Sequence, residues 1–277
     1  MVLLDDFSDR EIEEEKKFSS KSSIDDNLNL IVRKYEEWLK RDSSYMLKEE
    51  YAKVFASLDD LKELKKRDIH YFVDYMQKYK EAEKYTISGI YLSALLEKSF
   101  NCGHNDFVIK TETPILWIGA YLSGKQHEKL FITIDGPAGM GTGYYGTNLF
   151  VRIKGKAEAG SGKRAENSVF IFEKRTGQTC CERTKNCYCI FNGYAGSWAG
   201  YETKDSTMVF NGNCGEDCAS YTENSNVLIN GNIGHLFGFL TRGTDFYSQN
   251  INTLNKVRVR KGGKKYLIKR GCAYEYT

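Results

Sequence analysis

Hydrophobic residues recur at a fixed interval through the second half of the chain. Apolar side chains stand two and four residues before a glycine, and the same arrangement returns every 19 residues between residues 130 and 240. Because side chains alternate between the two faces of a β-strand, this pattern predicts short strands with one buried face. The column two residues before the glycine consists of Ile134, Ile153, Phe172, Phe191, Phe210 and Ile229.

Three columns of glycine follow the strands in the spacing G-x-x-G-x-x-x-G. They begin at Gly136, Gly139 and Gly143 and continue in the same steps of 19 residues. Glycine is expected where the backbone needs a positive φ, or where a β-carbon would clash at a tight corner. Four other residues stand in these columns and predict a locally altered corner around the second and third coils: Glu158, Lys174, Cys181 and Ala219.

A column of side-chain amides stands five residues after the third glycine. Its members are Asn148, Asn167, Asn186, Asp205 and Asn224. Asparagine and aspartate visit the left-handed backbone region more readily than other residues with a β-carbon. We therefore expect a turn at this column, with amide hydrogen bonds from one coil to the next.

These columns together predict a right-handed parallel β-helix of about seven 19-residue coils over residues 104–250. Equivalent residues would stack at the inter-strand spacing of roughly 4.8 Å, and no coil would be stable without its neighbours. Upstream, a degenerate first coil is expected to begin near Phe107. Its three glycine positions are expected to be taken by Trp117, Ala120 and Gly124.

The first part of the chain has helical periodicity instead. Residues 1–22 predict a flexible charged arm, and residues 23–103 predict a helical domain. Helices are predicted at 23–40, 45–56, 58–66, 68–80 and 85–99. We expect them to cover the first end of the β-helix, and the basic segment 251–277 to cover the other, since a bare end exposes unpaired strand edges. The expected fold class is therefore α+β.

The glycine columns resemble those of a known family. The segment LFITIDGPAGMGTGYYG, residues 130–146, is most similar to the GXGXG-type β-helix domain at the C-terminus of glutamate synthase large subunits. A related domain occurs in formylmethanofuran dehydrogenase. The resemblance covers about half of the chain. It implies a structural domain without catalytic residues, and hence a scaffold or assembly protein that acts through a protein partner or as a homo-oligomer. It implies no cofactor and no glutamate synthase activity.

The charge balance limits the classes of partner. The chain has 277 residues, with 40 basic and 37 acidic side chains and a net charge of +3. This balance argues against a whole surface that binds nucleic acid or membrane. The first apolar residues are followed at once by Asp5 and Asp6, which is unlike a signal peptide, and no apolar run reaches the roughly 18 residues of a membrane span. We expect a cytoplasmic protein with reduced thiols.

The C-terminal segment is strongly basic. Residues 256–270 contain eight cations and no acidic residue. The stretch RKGGKK, residues 260–265, predicts a hairpin turn. Two interpretations are open: a basic β-ribbon that binds RNA, DNA or an acidic partner, and a solvated edge hairpin whose lysines prevent edge-to-edge pairing. The candidate binding residues are Lys256, Arg258, Arg260, Lys261, Lys264, Lys265, Lys269 and Arg270.

Cysteines are concentrated in the repeats. They form the spacing C-C-x5-C-x-C, and two more follow: Cys180, Cys181, Cys187, Cys189, Cys214 and Cys218. Thiolates in such a group can bind zinc or an iron–sulfur cluster. The columns favour packing instead, because Cys189 and Cys214 fall at interior positions, and Cys180 and Cys218 stand two coils, about 10 Å, apart. We assign no metal ligand.

Candidates for catalysis are sparse. Polysaccharide-cleaving enzymes use pairs of carboxylates, and the only adjacent pair in the coils is Glu216 and Asp217. His70 beside Tyr71 is interpreted as an ordinary helical pair. We assign no catalytic residue, and a metal-binding or carbohydrate-active β-helix stays open as an alternative to the scaffold.

Overall fold

The computed structural model describes residues 21–40, 47–61, 63–78, 88–259 and 261–276. Residues 1–20, which make up most of the predicted arm, lie outside the described residues. The helices in the described part are α1 (Lys21–Leu39), α2 (Leu47–Ser57), α3 (Lys66–Lys78), α4 (Ser88–Asn101) and α5 (Ile251–Lys256). The prediction of a helix at 58–66 is wrong, because the described residues before Lys66 form turns and irregular backbone.

Ten strands form one sheet whose spatial order follows the chain. They are β1 (Asp106–Lys110), β2 (Leu130–Asp135), β3 (Leu149–Ile153), β4 (Val169–Phe172), β5 (Tyr188–Phe191), β6 (Thr207–Phe210), β7 (Asn226–Ile229), β8 (Asp245–Ser248), β9 (Lys265–Lys269) and β10 (Cys272–Glu275). Strands β1 to β9 are parallel, and each pair from β2 to β9 is offset by 19 residues. The predicted right-handed parallel solenoid of about seven coils is confirmed.

The predicted interior column is one continuous file of side chains. All six of its residues are at most 1 % exposed. The rings of Phe172 and Phe191 have centroids 5.1 Å apart, and those of Phe191 and Phe210 are 4.9 Å apart, with interplanar angles of 12° and 6°. Stacking of identical side chains therefore follows from the 19-residue register, and the coils share one hydrophobic core.

The glycine columns serve two different purposes. In the third column the backbone is left-handed, and Cys181 and Ala219 both have a φ of 54°, which is within about 20° of the glycines in the same column. An altered corner is therefore not found at these two residues. The first column holds glycine at five of its six positions for a different reason: a β-carbon at Gly231 would lie 2.2 Å from the carbonyl oxygen of Gly212 in the preceding coil.

The amide column forms a left-handed corner, as predicted. Asn148, Asn167, Asn186, Asp205 and Asn224 have φ angles between 48° and 55°. The Asn186 amide donates to the Asn167 side-chain oxygen over 2.7 Å, and the Asn224 amide reaches Asp205 at 3.5 Å. We call these five residues the asparagine corner. It connects each turn of the solenoid to the strand that follows.

The first coil departs from the repeat. Asp106 pairs with Phe131, which is 25 positions later in the chain, whereas the later strands are 19 positions apart. The additional residues form a small loop before β2, in which Lys125 pairs with Glu128. The step of 19 therefore fails here, and the assignment of three residues to the glycine columns is wrong: Trp117, Ala120 and Gly124.

Helix α3 covers the edge of the first strand. The Nε2 atom of His70 is 2.8 Å from the carbonyl oxygen of Val108, and the Gln77 amide donates to the carbonyl of Lys110 over 2.7 Å. These side chains bind backbone oxygens on the outer edge of β1, which would otherwise be available to another strand. The predicted cap at this end is confirmed, and His70 has a structural role in it.

Helix α4 packs directly on the first coil. A β-carbon at Gly89 would lie 1.9 Å from the carbonyl oxygen of Leu116. One turn further along the helix, the backbone N–H of Gly119 donates to the hydroxyl of Ser93 over 2.8 Å. The small residues of α4 therefore allow the helix to approach the coil closely and to continue the solenoid core into the helical region.

The second end carries a hairpin whose turn differs from the predicted one. Strand β9 continues the parallel stack, since Tyr266 pairs with Tyr247. Strand β10 then folds back antiparallel on β9, and the turn is formed by Arg270 and Gly271, with φ angles of 49° and 78°. Positive φ at two successive residues is what a tight hairpin turn requires. The C-terminal hairpin is confirmed, but residues 261–264 of the predicted turn precede it and belong to the corner that leads into β9.

Candidate interaction surfaces

The outer face of the parallel sheet is unusually apolar. In each coil, the strand residue that stands between the two interior residues points outwards. Over six successive coils this outward residue is aliphatic or tyrosine. A second outward column adds four apolar residues at the first-coil end. We call these ten residues the outer apolar face: Phe131, Phe150, Val169, Tyr188, Ile171, Ile190, Val209, Leu228, Tyr247 and Tyr266.

Aromatic rings are the most accessible part of this face. Phe131 is 38 % exposed and Tyr188 is 42 % exposed. At the other end the rings of Tyr247 and Tyr266 stack with centroids 4.8 Å apart. The aliphatic residues between these rings are less accessible, and Ile171 and Val209 are only 8 % and 7 % exposed. Contiguous apolar surface of this kind is characteristic of interaction sites rather than of freely solvated surface.

Two ladders of polar side chains border the outer apolar face. One is the asparagine corner. The other stands at the opposite ends of the strands, where the Asn192 amide donates to Glu173 over 2.6 Å, Asn211 donates to Asn192 over 2.7 Å, and Asn230 donates to Asn211 over 2.7 Å. We call these four residues the amide ladder. An apolar centre with polar margins is the usual anatomy of a protein–protein interface.

A groove lies on the side of the asparagine corner that faces away from the outer apolar face. It has a volume of about 770 Å³. Two columns in steps of 19 residues line it, and we call it the charged groove. The first column contributes Arg183, Glu202, Tyr221 and Leu240, and the second contributes Glu166, Lys185, Lys204, Glu223, Arg242 and Lys261.

Ion pairs fix part of the charged groove. The Arg183 guanidinium donates to Glu202 over 2.7 Å, and Lys204 Nζ is 2.9 Å from Glu223 Oε2. The hydrogen bond from Lys204 lowers the pKa of the Glu223 carboxyl. These pairs join neighbouring coils along the groove.

The basic C-terminal residues divide among several surfaces. Lys261 lies in the charged groove. Lys264 binds Glu275 on the neighbouring strand at 2.8 Å. Arg260 lies outside the described residues. The remaining cations lie at or just after the end of α5, within β9 and at the hairpin turn: Lys256, Arg258, Lys265, Lys269 and Arg270.

The cysteines of the repeats are packing residues, as the columns predict. All six are buried. Burial raises the pKa of the Cys180 thiol to about 11 and that of Cys187 to about 12. Such thiols stay protonated and unreactive at neutral pH. Within the described ranges, no group of three or more His, Cys, Asp or Glu side chains is arranged to hold a metal ion.

Several carboxylates of the coils bind cations. Glu182 is 2.8 Å from Lys163 and lies 3.6 Å from Arg183, which also binds Glu202. The adjacent pair predicted at Glu216 and Asp217 lies in the turn segment of its coil. The observed arrangement of these carboxylates supports cross-coil ion pairing.

The outer apolar face and the charged groove were not predicted from the sequence, although the signal was present. The outward column of Ile171, Ile190, Val209 and Leu228 follows the same 19-residue step as the interior column. Reading every column of the repeat for its polarity would have found both surfaces.

The fold and these surfaces define a β-solenoid with a helical cap at one end. The chain matches no protein-family model, no curated protein and no solved structure. No described helix is both long enough and apolar enough to cross a lipid bilayer.

Proposed function

We propose that this protein is a scaffold that binds another protein chain through its outer apolar face. The observation that carries the proposal is the combination of an apolar centre with a polar ladder along each margin. A stack of parallel coils gives the face a rigid shape, so little conformational entropy is lost when a partner binds. The resemblance of the glycine columns to the structural domain of glutamate synthase supports a non-catalytic role of this kind.

The central part of the face can provide the binding energy. Burial of apolar side chains drives most protein association, and exposed aromatic residues are frequent hot spots. Tyr188 and Ile190 lie close to each other on β5, in the middle of the stack, and both point outwards. A carboxylate at either position would be buried without a partner in the complex, which is strongly unfavourable.

The experiment compares two variants of the face with a matched control. Ile190→Asp and Tyr188→Asp each place a carboxylate on the face, and Gln178→Asp places one on the exposed turn of a neighbouring coil. Each protein is used to recover bound proteins from cells of its source organism, and its mass in solution is measured by light scattering. We expect both face variants to bind at least tenfold more weakly than the wild type, and the control to bind equally well.

Hydrogen exchange on the complex gives the location of binding. We expect protection of β4 and β5 when a partner or a second copy is bound. The proposal fails if the wild-type protein associates with nothing, or if both face variants keep every association of the wild type while thermal melting shows that they are folded.

A further inference from the structure

The two outer edges of the sheet differ in how they are covered. The edge of β1 is occupied, because side chains of α3 bind the carbonyl oxygens of Val108 and Lys110. The opposite edge belongs to β10, and all four residues of this strand are exposed. Among the described residues, none forms a hydrogen bond with the backbone groups that β10 turns away from β9. This edge therefore keeps backbone groups that another strand can bind.

The pairing of the hairpin shows which groups these are. The backbone N–H of Tyr276 donates to the carbonyl oxygen of Lys265 over 2.8 Å. Hydrogen-bonded pairs alternate with non-hydrogen-bonded pairs in an antiparallel ladder, so Tyr274 also bonds to β9. Ala273 and Glu275 fall at the alternate positions. Their N–H and C=O groups point away from β9 and form the free edge.

Cations without carboxylate partners flank this edge. Lys265 and Lys269 belong to β9, and Arg270 lies in the turn before β10. Within the part of the chain that the structure describes, no carboxylate is within ion-pair distance of these three side chains. The carboxylate of Glu275 is paired with Lys264 at 2.8 Å. The hairpin and the lysine before it contain four cations and one carboxylate, and hence have a net charge of +3.

We propose that the free edge of β10 binds an extended, acidic segment of a partner protein, which would join the sheet as its next strand. In this type of binding the main-chain hydrogen bonds give affinity and the side chains give specificity. The segment would bond to the backbone of Ala273 and Glu275, and its carboxylates would bind the unpaired cations. This edge is separate from the outer apolar face, so the inference does not rest on the proposed function of that face.

The cations can reach the side chains of an added strand. The strand would lie one spacing, roughly 4.8 Å, from β10, and two spacings from β9. Residues opposite each other in the ladder share a face of the sheet, and Lys269 stands opposite Cys272. The cysteine is short, so the lysine can extend past it towards the free edge. Arg270 is exposed at the beginning of β10 and is nearer still.

The free edge and its charge favour an acidic peptide over two other occupants. In a pair of identical hairpins two positive edges would meet, and lysines beside an edge strand oppose such pairing. A nucleic acid offers acceptor oxygens along its phosphate backbone, which would leave the carbonyl oxygens of Ala273 and Glu275 without donors. An extended acidic chain has N–H and C=O groups in the spacing of a strand, and its charge is opposite to that of the hairpin.

The test is a titration of the full chain with labelled ten-residue peptides, followed by fluorescence anisotropy at two salt concentrations. The first peptide alternates glutamate with valine, and the second has lysine in place of glutamate. The third keeps the glutamates but is N-methylated at every residue, which removes its backbone donors. We expect the first peptide to bind, more weakly at higher salt, and the other two and poly(U) to bind at least tenfold more weakly.

Matched variants locate the binding edge. Ala273→Pro removes an N–H that faces away from β9, where an edge strand tolerates proline, and the control Ala273→Val keeps this N–H. Lys269→Gln with Arg270→Asn removes two cations, and the resulting Asn-Gly pair suits the hairpin turn. Its control is Lys156→Gln with Lys174→Gln, which removes two exposed cations that follow β3 and β4. We expect each edge variant to bind the acidic peptide about tenfold more weakly, and each control to bind like the wild type.

Hydrogen exchange of single amides tests the geometry of the complex. In the free protein the amides of Ala273 and Glu275 should exchange faster than that of Tyr274, which bonds to β9. Addition of the acidic peptide should slow exchange at Ala273 and Glu275.

Several outcomes overturn the inference. They are no binding of the acidic peptide, equal binding of the lysine peptide, the N-methylated peptide or poly(U), unchanged binding by the hairpin charge variant, and unchanged exchange at Ala273 and Glu275. A dimer in light scattering that Ala273→Pro converts to a monomer would also overturn it, since a second copy would then occupy the edge. If Ala273→Pro fails to fold, the N-methylated peptide and the charge variant still decide. None of these measurements depends on the outer-face variants, so the two proposals can be judged separately.

Discussion

The stacked rings of Phe172, Phe191 and Phe210 are the part of the core where one substitution should weaken the solenoid most. Phe191 is 1 % exposed and contacts a parallel ring on each side, at 5.1 and 4.9 Å. Replacing a buried phenylalanine by alanine costs about 3–5 kcal/mol. The two ring contacts contribute about 0.5–1.5 kcal/mol each to this loss. We expect Phe191→Ala to lower the free energy of unfolding by about 4 kcal/mol.

The position of Phe191 in the stack adds a second expectation. In a solenoid each coil contacts only its neighbours, so a weak interface in the middle separates two cooperative units. Guanidinium unfolding followed by circular dichroism should change from one transition to two, and hydrogen exchange should show earlier opening of the C-terminal coils. Tyr188→Ala is the control, because this residue of the same strand points outwards, and we expect a loss within about 0.5 kcal/mol. A loss below about 1 kcal/mol for Phe191→Ala would refute the reasoning.

Two further substitutions test the corner and the helical cap. Gly231→Ala should destabilise the protein by about 2–3 kcal/mol in denaturant unfolding, because its β-carbon would meet the Gly212 carbonyl at 2.2 Å. Gly160→Ala is the control with left-handed strain but open space around the β-carbon, and we expect a loss of about 1 kcal/mol; equal losses would contradict the close-approach argument. Burial raises the pKa of Glu97, which accepts a hydrogen bond from Tyr51, to about 7. The folded state therefore holds a proton that the unfolded state releases above about pH 4.5, and stability should fall as pH rises from there through about 7. Glu97→Gln should raise the melting temperature relative to wild type more at pH 8 than at pH 5, and an equal effect at both values would exclude this cause.

The repeat made much of the fold readable from the chain. Alternation indicated the strand positions and the buried face, and the constant step placed Phe172 next to Phe191 without any tertiary information. The asparagine corner was predictable because asparagine and aspartate adopt left-handed backbone more readily than other residues with a β-carbon. The step failed in the first coil, where an inserted loop shifted Trp117 away from the expected position.

The surfaces depended on contacts between distant parts of the chain. Lys261 belongs to a basic stretch in the sequence, but the last coil places it in one column with Lys185 and Arg242. Lys264, from the same stretch, is instead bound to Glu275. Local charge density therefore gave no reliable indication of which cations face a common groove.

By itself the sequence determined the solenoid, because a fixed period of 19 residues puts equivalent side chains in contact whatever the details of each turn. Only the tertiary structure decided what covers each end and which outward columns border one another. His70 covers the edge of β1, and the hairpin turns at Arg270 rather than at RKGGKK. The physical reason is that periodicity specifies the distance between like residues, whereas caps and surfaces arise from contacts between unlike segments, which no repeat encodes.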